Sequence, residues 1–346
     1  MSETDGTLLA GLRKTAVSSV AFVALAAFDW LGPILAEVLP RVARIAVFIA
    51  LGVFLANLAV AFGLVERIAG LSRYLTGPAN LPDEVGTAIL TTTASTTAGY
   101  GMLAEFRESG TLDDRATLVA VTINTFFGFV QHVFTFYVPV IIPILGLETG
   151  VLYVGARAGV ALAITLVGVL AGALLLSGRN VDAGATVAAD LPEDEYPTVR
   201  AKLERAWDRT RPKLVTIVPR LAVIYTLVTV LVRQYDLTAI TGAADPLAQL
   251  VGLPVAAIPV VVVFSLDSTS GAATIAPLIG ETFTPQQAVA TLLIGGVVSF
   301  TVTTFKRSIP FQYGIWGPSF GSKVVAVNTG LKLVFVSLAA VAVLAV

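Results

Sequence analysis

The chain has 346 residues, 56% of them hydrophobic and only 13% charged, with a net charge of −1. Soluble domains carry roughly 25% charged residues, so this composition points to a membrane protein and leaves no basic face for a nucleic acid. Cysteine is absent and His132 is the sole histidine, which excludes disulfides, thiolate chemistry and the usual zinc sets.

A spanning helix needs about 20 mostly apolar residues. Runs that meet or approach this length fall at 15–33, 38–63, 116–145, 150–177, 213–233, 286–309 and 321–346. The expected fold is an all-α membrane protein with about seven transmembrane helices. The first run follows Arg13 and Lys14 without a small-residue cleavage site, and it reads as a retained helix rather than a signal peptide.

Two further stretches are apolar but interrupted. Residues 83–110 contain TTTASTTAGYG at 91–101, and residues 253–283 contain SLDSTSGAAT. Each arm beside the first interruption has room for a helix of roughly 15–20 Å, short of the ~30 Å hydrocarbon core. Neither arm crosses alone, so both stretches are expected to be re-entrant helical hairpins. Gly99, Gly101 and Gly271 suit tight turns and close approach at their tips.

Orientation follows from the basic residues. With the N-terminus inside and both hairpins returning to the side they enter, 16 of the 22 Lys and Arg residues face the cytoplasm, as short cytoplasmic loops require. The expected location is a multi-pass position in the cell membrane, with the N-terminus and the 178–212 connector cytoplasmic. That connector and Lys213 carry seven basic and seven acidic residues, a composition for an amphipathic surface helix or a solvated linker.

The chain also resembles itself. FDWLGPILAEVLPRVA at 28–43 aligns without gaps on WDRTRPKLVTIVPRLA at 207–222, matching Pro33 with Pro212, Pro40 with Pro219 and Arg41 with Arg220. TASTTAG at 93–99 answers LDSTSGA at 266–272, pairing Ser95 with Ser268 and Thr96 with Thr269, and Pro139 answers Pro310. The expected domains are repeat A over 13–177, the connector 178–212, and repeat B over 213–346. An odd number of crossings separates equivalent spans, which sets the copies in opposite orientations, an inverted repeat.

Non-helical backbone at membrane depth is tolerated where it is buried in protein or lines a wet cavity. Hydroxyls there supply compact donors and acceptors, so Thr93, Ser95, Thr96 and Thr97 on the first tip, with Ser268, Thr269 and Ser270 on the second, are candidate substrate ligands. Back-bonding to carbonyls or close helix packing is the competing explanation. Asn124 and Gln131 share a helix face and are either further ligands or interhelical contacts. Asp267, the sole acid in its apolar stretch, is a candidate for a coupling cation or proton, or for a structural pair with Arg220. Arg157 and Lys332 lie partway into the closing spans, where snorkelling or pairing explains them.

TTTASTTAGYG followed by TINTFFGFVQHVFTFYVPVIIP, and SLDSTSGAAT followed by VVSFTVTTFKRSIP, resemble the Gate (nucleoside-recognition) domain family. Concentrative nucleoside transporters, the membrane part of the bacterial ferrous-iron transporter and spore maturation membrane proteins share this module. The resemblance, over about 40–150 and 213–320, implies transporter-like architecture handling nucleosides or a cation. The GxxxxGK[ST] phosphate loop of the iron transporter's GTPase half is missing.

The expected function is a secondary transporter or permease for a nucleoside, another small polar solute or a cation, with membrane lipid around it and no cofactor. The alternative is a membrane assembly scaffold that uses the same module without transport. No acid pair, nucleophile–base set or metal cluster points to an enzyme. A homo-oligomer is left open.

Overall fold

The computed structural model describes residues 31–47, 49–51, 54, 73–176, 198–234, 252–304 and 308–345. The described chain is helical throughout apart from turns and one isolated bridge between Ile279 and Phe283. The span expected at 15–33 lies almost wholly outside the described residues, as do 55–63 of the next and 178–197 of the connector.

Helix α1 runs over 31–47 and continues through 49–51. Its Ile34, Val38, Val42, Ile45 and Ile49 recur every three or four residues and are buried, the stripe that docks a helix on its neighbours. After the single turn α2 (Arg73–Thr76) comes the first interrupted stretch, as α3 (Asp83–Ala94) and α4 (Thr96–Glu108). Helix α5 (Asp114–His132) starts at the Asp113 carboxylate, which accepts from the Ala116 N–H at 2.7 Å.

Helix α5 then widens into π-type turns over Val133–Ile141, a segment that contains Pro139. Proline has no N–H to give to the fourth residue back, and a π-bulge absorbs that gap without ending the helix. The short α6 (Ile142–Leu145) completes this run, and α7 (Leu147–Leu175) follows Gly146.

The second series is α8 (Val199–Gln234), α9 (Ala257–Leu266), α10 (Ser268–Ile275), α11 (Pro285–Thr303) and α12 (Ile309–Leu344). Thr284 caps α11 in a reciprocal box with Gln287. Among the described residues, three helical runs are long and apolar enough to cross a membrane, namely Asp114–Leu145, Leu147–Leu175 and Ile309–Leu344, with shorter apolar helices at Ala257–Leu266 and Pro285–Phe300.

Several landmarks recur at the same spacing in the two series. Helices α5 and α11 both have 19 residues and a side-chain cap at the residue before them, Asp113 or Thr284. Pro139 and Pro310 stand at the same distance beyond those caps, and so do Gly146 (φ 82°, ψ 166°) and Gly317 (φ 71°, ψ 165°). Both glycines occupy a positive-φ region closed to most side chains. At Gly317 this kinks α12, so the expected 321–346 span belongs to a longer broken helix that begins at Ile309.

One expected register is corrected by the backbone, and one expected boundary falls within a helix. The hydroxyls suggested pairing Ser95 with Ser268, but the backbone pairs Ser95 with Asp267, one residue earlier, since these are the residues that interrupt the two hairpins. The expected boundary between connector and repeat B, at 212 and 213, falls inside α8, which runs through both Pro212 and Pro219. Thr216 donates to the Pro212 carbonyl at 3.0 Å.

The core has two parts. One joins α3 and α4 to α5 and α12 through Ile89, Leu103, Phe106, Ile123, Phe127 and Phe320. The other joins α1, α7, α9, α10 and α11 through Ile49, Tyr153, Val260, Phe264, Ala272 and Leu292. Between α5 and α7, Thr165 donates to the Ile123 carbonyl at 2.9 Å and accepts from the Phe126 N–H at 3.1 Å.

Candidate functional site

Each hairpin is broken at a single residue. Ser95 (φ −147°, ψ 109°) and Asp267 (φ −150°, ψ 119°) are extended between two helices. At both breaks the residue's N–H donates four residues back, to Thr91 or Val263, and its carbonyl accepts from Gly99 or Gly271. Its side chain accepts from the N–H three residues on, Ala98 at 3.3 Å or Ser270 at 2.7 Å. One extended residue therefore ends one helix and caps the next.

The arms can fold together because of the glycines that follow. A Cβ at Gly99 would overlap Thr92 and lie 2.7 Å from the Ala88 carbonyl oxygen. A Cβ at Gly271 would overlap Phe264. Gly101, expected to serve the same purpose, faces open space.

Two cavities adjoin these breaks. The smaller, of about 250 Å³, is bordered by Thr96 of the first tip, by Asn124, Thr125 and Gly128 of α5, and by Arg157, Asn328 and Lys332. The larger, of about 610 Å³, is bordered by Asp267, Ser268 and Thr269 of the second tip and by Gly296, Ser299 and Thr303 of α11. His132, Tyr137, Arg157 and Phe300 border both, so the cavities share a wall.

The expected ligands divide accordingly. Thr96 donates to Gln131 Oε1 at 2.6 Å, which ties the first tip to α5. Asn124 is 1% exposed. Its Nδ2 donates to Thr92 Oγ1 at 2.9 Å, while its Oδ1 is buried with no hydrogen-bond partner among the described residues. Such an orphan acceptor is uncommon and costly. Asp267 receives both the N–H and the hydroxyl of Ser270, at 2.7 and 2.6 Å. Ser270 borders neither cavity. Thr93 is buried and donates to the Leu90 carbonyl, and Thr97 is exposed and borders neither cavity.

Sequence reasoning passed over the aromatic part of the wall and gave Arg157 and Lys332 no role beyond snorkelling or pairing. Tyr137 is buried and hydrogen-bonded to the Arg157 guanidinium, with Tyr153 close by. Tyr100 of α4 pairs with Asn328 of α12 and packs edge-on to Phe311 and Trp316, at 5.8 and 6.2 Å between ring centres. One signal was available. Counted from Gly146 and Gly317, Arg157 stands where Asn328 stands, and Ala161 where Lys332 stands. All four border the smaller cavity.

At the far end of the first hairpin, Arg107 donates twice to Asp114 Oδ1, at 2.9 Å from Nε and 2.7 Å from Nη2. Lys323 of α12 reaches Asp114 Oδ2 at 2.9 Å, and the Arg107 guanidinium lies 4.1 Å from the centre of the Phe320 ring. This cluster fixes hairpin, α5 and α12 to one another, away from the cavities.

No known family's sequence pattern matches the chain, and no solved structure matches it. It is similar to two proteins of Methanocaldococcus jannaschii. The uncharacterized protein MJ0871 is 26% identical over 300 residues, covering 84% of this chain and 89% of that one. The uncharacterized protein MJ0880 is 23% identical over 296 residues, covering 84% of this chain and 94% of that one.

Proposed function

We propose that the chain is a permease of the cell membrane, built as an inverted repeat of about seven spans with two re-entrant hairpins. A small polar solute passes the paired tips by alternating access. The observation that carries this reading is the shared wall, since two hairpin breaks in equivalent places border adjoining cavities. Broken helices in the two halves of a chain, meeting at a cavity, are the pattern of secondary transporters. In this reading 253–283 returns to the side it enters, as 83–110 does, with the N-terminus and the connector in the cytoplasm. Asn124 and Thr96 contact the solute directly, while Asp267 faces the larger cavity and remains the candidate for a coupling cation. The likeness to the Gate family belongs to the same proposal.

The absence of cysteine permits a clean test. Single cysteines at Thr96, Ser268 and Ser299 are expected to react with membrane-impermeant thiol reagents, and solute is expected to protect them. Uptake by proteoliposomes of uridine, inorganic phosphate, succinate and sodium ions checks transport itself. Inert cysteines together with no uptake would end the permease reading.

A second reading, a scaffold without transport, is favoured by the engagement of tip hydroxyls in the hairpins themselves. Thr91, Thr92 and Thr93 all donate to carbonyls of α3, and Ser270 donates to Asp267. It predicts that alanine at Thr96 and Ser268 alters stability while no flux exists to be altered.

A further inference from the structure

Arg157 and Lys332, from the two closing helices α7 and α12, both border the smaller cavity, and none of the described residues that border it is Asp or Glu. The two like charges are near enough to interact. Tyr137, the hydrogen-bond partner of Arg157, is a phenol and supplies no negative charge.

Two cations side by side among apolar helices, with no carboxylate among the described residues around the cavity, are expensive to hold charged. Desolvating each costs several kcal/mol, and their repulsion grows as the local dielectric falls. Ionisable groups at such depth pair with an opposite charge or serve a pathway. The Asp267 carboxylate borders the neighbouring cavity, where its Oδ1 already accepts twice from Ser270. With no carboxylate among the described residues that border the cavity, an anionic ligand would supply the balancing charge.

We infer that the smaller cavity binds a water-soluble anion through carboxylate or phosphate oxygens held between Arg157 and Lys332. This names the substrate class of the permease, and it rests on that reading for the solute's passage though not for its binding. The guanidinium offers a planar fork to two oxygens and the ammonium a point charge. Tyr137 orients the fork, and Asn328, hydrogen-bonded to Tyr100, borders the cavity beside Lys332. The orphan Oδ1 of Asn124 matches an O–H or N–H on the body of the solute. The volume of about 250 Å³ suits a small organic acid or phosphate ester.

Calorimetric titration of the full-length protein in neutral detergent tests this with inorganic phosphate, succinate, uridine, sodium ions and short-chain phosphatidylglycerol as separate probes. Phosphate or succinate is expected to bind, and the stronger of the two identifies the head group. Arg157→Gln and Lys332→Met are each expected to weaken that binding by at least about tenfold. Removing one of two neighbouring like charges relieves their repulsion, so both variants are expected to fold. Lys332→Arg, and the double change Ala161→Lys with Lys332→Ala that moves the ammonium to the equivalent position, are expected to stay within about threefold of the parent.

Binding of uridine or sodium ions with no response to either anion would overturn the inference, as would phosphatidylglycerol acting as the sole ligand. Equal anion affinity in both charge-removing variants would also overturn it. Anion binding without any flux leaves this site standing and removes the permease reading. Uridine uptake at an unchanged rate in Arg157→Gln and Lys332→Met does the reverse.

Discussion

The two hairpins share a backbone and differ in how they are fastened. In the first, a polar pair clamps the hairpin to its span, Asn124 to Thr92 at 2.9 Å, and the tip is tied by Thr96 to Gln131. At the equivalent places in the second stand Gly295 and Phe264, and the neighbourhood is apolar, since a Cβ at Gly295 would lie 3.0 Å from Phe264. Within the second tip, Asp267 accepts from both the N–H and the hydroxyl of Ser270. A common architecture thus survives the exchange of a hydrogen bond for van der Waals contact because the break at Ser95 or Asp267 is made by backbone and capping, not by the clamp. The cavity beside the apolar clamp is also the larger, at about 610 Å³ against about 250 Å³.

The strongest way to break this comparison is to force the arms apart. Gly99→Ala and Gly271→Ala are each expected to destabilise the protein by about 1–3 kcal/mol through overpacking, read as thermal unfolding in detergent. Gly101→Ala, with open space beside it, should stay within about 0.5 kcal/mol of the parent. A large loss in only one hairpin would show that the two are not equivalent.

The clamps come next. Asn124→Ala should cost about 1–2 kcal/mol, the value of a buried hydrogen bond and its lost packing, and should raise thiol reactivity of a cysteine placed at Thr96. If that reactivity is unchanged, the clamp does not hold the tip.

A smaller effect separates the caps. Asp267→Ala should cost about 1 kcal/mol, the usual worth of a helix cap, and Ser95→Ala less, since its bond is longer at 3.3 Å. Asp267→Asn keeps an accepting oxygen and should unfold like the parent. If cation-dependent uptake nevertheless vanishes in Asp267→Asn, the carboxylate acts on an ion as well as on the backbone. Asp114→Asn marks the lower limit, a loss below about 1 kcal/mol, because surface ion pairs are weak and screened.

Much of this architecture is visible in the residues themselves. Mean hydropathy, run length and the two hydroxyl-rich interruptions give helices, their order and the two broken stretches, because helix formation and burial follow local composition. Helix α8 shows the limit, for the polarity step near 212 marks where the surface changes, whereas the backbone continues through it. The alignment of hydroxyls misled for a similar reason. Matching hydroxyls aligned Ser95 with Ser268, yet what the hairpin needs at its break is any side-chain oxygen that caps the next helix, and Asp267 serves as well as Ser95.

What the sequence determined by itself is a helical, largely apolar chain with hydroxyls and prolines set at two matching sites. Tertiary structure alone decided which of those hydroxyls look into a cavity and which bond to their own helix, since Thr93 and Thr96 are chemically alike but lie on different faces. It also decided that Arg157 and Lys332, far apart in sequence and unremarkable when taken singly, border one cavity with no acid among its described lining residues. Charge balance depends on what surrounds a group in three dimensions, and a linear pattern does not carry that information.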